Sequence, residues 1–345
     1  MKDLKYISAY SIPIIAFLSI WLEGIYTYMT PLYVFGIIPI IELFTPSSTE
    51  NLDDDNRLSK SKKQLFNWLL YINLPIIYSI LIYTLFVVSN RPLENFEIIG
   101  IIISTGIVLG ANGINVGHEL GHRFSKERFI AKALLLPSLY MHFYVEHNFG
   151  HHLKAATKED PATARYNQPL YFFWFTSVIG QYISAWKIQT TLLKQQNRSF
   201  LSIQNDMLWY LIFTTIYLSF IFIFFGFLGC IVAFSSGVVG FLLLETINYI
   251  EHYGLLRKKN SSGRYERVRE IHSWNSNHLL GRILLFELTR HSDHHYRASK
   301  KYQLLDHHND SPQLPFGYPT SMVLSLFPPI WFMLMNKRVP NEMKP

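Results

Sequence analysis

Six stretches of this chain are long and apolar enough to cross a bilayer, at about 6–22, 26–44, 65–88, 98–116, 208–227 and 230–250. A crossing segment needs about 20 mostly apolar residues and must satisfy its own backbone, so each stretch is predicted as a helix. Only 16% of residues are charged, against about 25% in soluble domains. With the N-terminus inside, the inside segments are 1–5, 45–64, 117–207 and 251–345, and they carry 30 of the 31 Lys and Arg. Only Arg91 stays outside. That is a positive-inside partition, which a soluble helical protein has no reason to show. The sequence therefore predicts an all-α, six-helix membrane bundle with 117–207 and 251–345 forming one cytoplasmic cap, in a single domain over 1–345. Lys2 and Lys5 precede an apolar stretch with no small-residue cleavage site, so that stretch reads as a retained helix. The lone Cys230 excludes a disulfide framework and any Cys-based zinc or iron–sulfur site in this chain.

Inside the cap, 129–144 reads as an apolar helix. Residues 170–193 read as an aromatic helix on the bilayer surface or under the bundle, and 319–335 as an interfacial element. The 46–63 linker reads as a solvated loop.

All fourteen histidines lie between residues 118 and 308. Nine form four clusters: His118 and His122; His147, His151 and His152; His252; and His291, His294 and His295. Residues three or four apart share a helical face, so each cluster can present imidazoles together. Nine donors exceed what one ion takes, which argues for two metal ions held by imidazole, a ligand that suits iron, copper, nickel or zinc. Read alone, His118-Glu-Leu-Gly-His122 is a zinc-protease signature with Glu119 as base; seven further histidines leave that reading incomplete.

Metal-bound imidazoles usually donate their second N–H to a carboxylate or carbonyl. Glu119, Glu146, Glu251, Asp293 and Glu245, with Asn248, are the candidates for that support. Glu245 and Asn248 have a second reading, as groups facing a water channel within the sixth stretch. Asp160, in Asp-Pro-Ala-Thr, reads first as a turn or cap. Of the remaining histidines, His142 reads as support for the site, His272 and His278 as support or partner contacts, and His307 and His308 as solvated.

These residues resemble the bacterial integral-membrane diiron alkane 1-monooxygenases. The resemblance runs through His-Glu-Leu-Gly-His (118–122), Glu-His-Asn-Phe-Gly-His-His (146–152), Asp-Pro-Ala-Thr (160–163), Asn-Tyr-Ile-Glu-His-Tyr-Gly-Leu-Leu-Arg (248–257), Gly-Arg-Tyr-Glu (263–266), His-Ser-Trp-Asn-Ser-Asn-His (272–278) and Arg-His-Ser-Asp-His-His (290–295). The 248–257 stretch discriminates best against membrane desaturases and sterol oxidases. Arg123 stands where the family usually has Lys, and Tyr296-Arg297 depart from its usual continuation.

The resemblance implies that the nine histidines bind two non-heme irons, with zinc able to substitute. It implies O2-dependent hydroxylation of a terminal alkane carbon, with electrons from rubredoxin and its reductase and substrate taken from the lipid. The enzyme would sit in the bacterial inner membrane, with both termini and the metal site cytoplasmic. Val34 has two readings, as a lining residue of the substrate channel that sets chain length or as a lipid-facing valine. The related alternatives are an aromatic-methyl or fatty-acyl substrate. The net charge of +7 suits an acidic donor or anionic lipid, and no groove-reading motif points to nucleic acid.

Overall fold

The computed structural model describes residues 2–124 and 126–344, and these contain helices, turns and isolated bridges but no strand. Five helices are long and apolar enough to cross a membrane: α1 (Asp3–Leu22), α2 (Gly24–Phe44), α3 (Leu65–Asn90), α4 (Asn95–Gly121) and the 47-residue α8 (Asp206–His252). The expected fifth and sixth stretches both fall in α8. Gly226 divides it, with φ 69° and ψ −172°, a conformation that glycine adopts without the steric cost of a Cβ. Ser89 Oγ, near the end of α3, donates to Phe225 O at 3.0 Å. Ile221 and Ala233, on either side of the break, share one apolar cluster with Leu81 and Leu85 of α3.

α8 packs along α4. The backbones come close because Gly106 has no side chain: a Cβ there would lie 2.5 Å from the Val239 side chain and 2.9 Å from Ser236 O. α4 does not run as one regular helix. A π-helical turn over Leu109–Ile114 precedes Asn115–Gly121. π turns often mark functional sites, because the inserted residue re-aims the side chains beyond it.

The segments between and after the long helices depart from expectation in two places. The 129–144 helix is α5 (Lys126–Leu135) alone: Pro137 follows, and Leu139 is left-handed at φ 56°. The chain then re-enters helix at 143–154, numbered α6. The 46–63 linker is not a free loop. Asp53 caps a helix over Asp54–Lys62, and Arg57 ties it to Asp306 at 2.8 Å. The aromatic helix is α7 (Leu170–Gln195). It packs on α8, as expected for an element under the bundle, with Phe172, Phe175 and Ile179 exposed on its other face. The 319–335 element is two short helices, Tyr318–Ser325 and Pro328–Met335.

Candidate metal centre

The nine clustered histidines converge from four places in the chain. His118 and His122 end α4, α6 carries His147, His151 and His152, His252 ends α8, and α9 (His291–Tyr296) carries the last three. They form two groups, within each of which one ligand atom per residue lies within 4.8 Å of all the others: His118, His122, His147, His152 and His294; and His151, His252, His291 and His295.

Two clusters are split between the groups, which i, i+4 spacing on an α-helix does not predict. His147–His151 is a π-helical turn. Its i→i+5 bonding brings residues five apart over one another. His147 and His152 therefore share a group, with Nε2 atoms 2.9 Å apart, and His151 faces the other. In α9, His291 and His295 pair at 2.8 Å and His294 turns to the first group. The pairs His122–His147 and His151–His295 approach at 3.1 and 3.2 Å.

These separations fit a metal. Donors about 2.0–2.2 Å from one ion and 90–110° apart sit about 2.8–3.6 Å from each other. His118 Nε2 and His294 Nε2 are buried and have no hydrogen-bond partner among the described residues, which is costly unless a cation takes the lone pair. Burial, reinforced by the neighbouring imidazoles, holds His147, His152, His291 and His295 well below the usual histidine range. Burial brings His294 down to about 3. These rings are neutral at pH 7, the form that ligates. His151 differs: burial pushes it down, but the Asp160 carboxylate beside it outweighs this and raises it.

Asp160 is the supporting residue that sequence reasoning read first as a turn. Its Oδ2 lies 2.9 Å from His151 Nδ1, while Oδ1 accepts from Ala162 N at 3.1 Å and Oδ2 from the Thr163 hydroxyl at 2.6 Å. One side chain thus forms the turn and aims the imidazole. The signal was present in Asp-Pro-Ala-Thr, but nine residues of sequence separation do not disclose a contact. Asp160→Ala is expected to weaken metal binding at the His151 group by about 10–100-fold with little effect on the other group, read by chelator competition.

The expected supports have varied partners. Glu119 Oε1 accepts from Arg123 at 2.7 Å and from Tyr302 N at 3.2 Å, so it is engaged away from any role as a protease base. Asp293 bonds His308 at 2.8 Å and Lys300 at 2.6 Å, so His308 is not simply solvated. Glu146 is buried beside Gly150, and neither oxygen has a hydrogen-bond partner among the described residues. Glu251 Oε2 lies 3.1 Å from His291 Nε2, and Tyr318 donates to Oε1 at 2.8 Å. His142 packs edge-on against Tyr140 and Tyr182, outside both groups. His272 lies 3.4 Å from Glu266, and His278 pairs with Ser276.

Glu245 joins three elements. It accepts from Tyr140 at 2.8 Å, from Ser177 at 2.5 Å and from Gln181 at 2.8 Å. Glu245→Leu strands those donors, at about 1–3 kcal/mol for each group left buried and unpaired. Glu245→Gln keeps an acceptor. The Leu variant is expected to melt well below the Gln variant in detergent, and equal melting would remove Glu245 from this role.

An apolar cavity is lined by Ile12, Val34, Ile38, Ile107, Leu243 and Met322 together with Asn115, Asn248, Glu251, His118, His147 and His291. It touches both histidine groups. Val34 is buried in its wall.

A family model described as fatty acid desaturase matches residues 96–323. The chain is 37% identical to alkane 1-monooxygenase 2 of Alcanivorax borkumensis, over 89% of this chain and 81% of that one. It is 34% identical to an alkane 1-monooxygenase of Pseudomonas putida, over 95% and 83%. A xylene/toluene monooxygenase hydroxylase component of Pseudomonas putida is 27% identical, over 77% and 72%. Extended similarity at this level, together with nine converging imidazoles, decides the assignment: the chain, which the fatty acid desaturase model also matches, belongs to the alkane 1-monooxygenase family.

Proposed function

We propose that this protein hydroxylates the terminal carbon of alkanes to give primary alcohols, using O2 at a two-iron centre and electrons from rubredoxin. The observation that carries the reading is the apolar cavity lined in part by members of both imidazole groups. An unactivated methyl group has no acidic proton and no leaving group, so side chains alone cannot attack it. The nine histidines would hold two irons, which would supply the O2 activation the reaction needs, while the chain supplies binding, orientation and exclusion of water.

The apolar wall binds substrate by burial, at about 0.8 kcal/mol per CH2. His118, His147 and His291 mark where the terminal carbon stops. Zinc suits the same imidazoles, so the occupying metal depends on preparation. We read α8 as two crossings joined at Gly226. Its first end pairs with the cap through Asp206–Lys132 at 2.8 Å and its last residue is His252, so both ends lie on the histidine side. That gives six crossings in a bacterial inner membrane, with the metal site and both termini facing the cytoplasm. The basic cap is the face for an acidic rubredoxin, itself reduced by its reductase.

The test is an iron-loaded membrane preparation given rubredoxin, its reductase, NADH, O2 and mixed alkanes, read by gas chromatography–mass spectrometry. Primary 1-alkanols that vanish without iron or rubredoxin support the reading. Benzylic alcohol from an added methylarene, with no alkanol, moves it to the aromatic-methyl reaction.

A further inference from the structure

We infer that Glu251 is a direct ligand of the four-histidine metal ion, resting on the two-metal reading above. The two groups are unequal: five imidazoles meet at one and four at the other. The four-imidazole group has a carboxylate at its edge. Glu251 Oε2 lies 3.1 Å from His291 Nε2, the same nitrogen that lies 2.8 Å from His295 Nε2 and 3.3 Å from His252 Nε2. All three are edge lengths of a coordination polyhedron.

The contact is not a lasting hydrogen bond in the loaded protein. Once His291 Nε2 binds a metal it carries no proton, so the nitrogen and the carboxylate oxygen are both acceptors. Two acceptors are held at 3.1 Å in a buried site by a cation that both of them face. The carboxylate is committed to this position: Glu251 is 1% exposed, and Tyr318 holds its other oxygen at 2.8 Å. Glu251 stands outside the set of four whose atoms all lie within 4.8 Å of one another, so it enters from the His291 side, where it also lines the cavity. The two ions then differ in charge: one has only neutral donors, the other an anionic one facing the substrate space.

The test uses full-length protein in detergent, stripped of metal and titrated anaerobically with Co(II). Wild type is expected to bind two ions; binding fewer would overturn the two-metal reading rather than this inference. Glu251→Gln is expected to keep one ion at wild-type affinity, which also reports that it folds. It should weaken the other by at least about 10-fold and intensify that ion's visible absorption as a donor is lost. Tyr318→Phe keeps the carboxylate but loses one of its holds, so it should still bind two ions, the second weakened less than in Glu251→Gln. Two ions bound to Glu251→Gln with unchanged affinity and spectrum would overturn the assignment. A measurement on wild type alone gives the same decision: the metal-induced infrared difference spectrum should contain coordinated-carboxylate stretches, and their absence would overturn it.

Discussion

His151→Ala and His152→Ala, one residue apart, are expected to deplete different metal ions. In the loaded protein each should lower bound metal from about two ions per chain toward about one, and each should reduce turnover by more than about 100-fold, because a lost ligand costs at least as much as a lost supporting contact. The expectation follows from the π turn that sends His147 and His152 to one group and His151 to the other. Pairing the substitutions makes it sharp. His151→Ala with His252→Ala removes two ligands from one ion and should leave about one bound, a non-additive result. His151→Ala with His152→Ala should leave almost none. Equal metal content in the two double variants would refute the five-and-four partition.

Val34→Trp is expected to shorten the alkane range. Val34 sits in the cavity wall with Ile12, Ile38 and Ile107, where the larger indole takes the space of several methylenes. An alkane denied room for four CH2 groups forfeits about 3 kcal/mol of burial, on the order of 100-fold in kcat/KM. In competition between octane and hexadecane, the variant should lose hexadecanol and keep octanol. An unchanged product ratio would place Val34 outside the path of the substrate.

Much of the candidate site was legible before the fold. Metal ligation draws on few residue types, and nine imidazoles in short spacings mark themselves as candidate donors. The supports were less legible, because a carboxylate's role depends on where its oxygens point. Glu119 and Asp293 adjoin clustered histidines in sequence but bond Arg123, Lys300 and His308, whereas Asp160, nine residues beyond His151, meets its ring. The linker at 46–63 read as a loop because its partners, Asp306 and the Leu304 carbonyl, lie about 250 residues away.

The sequence by itself determined the helical class, the membrane character, the apolar spans and the identity of the nine histidines, because hydropathy and ligand chemistry are properties of residues and their local spacing. Only the tertiary structure decided how those histidines divide. The division depends on a π turn in α6, on the face α9 presents and on where α4 and α8 each end. The close approach of α4 and α8 at Gly106 likewise arises from packing between distant segments that no local pattern encodes.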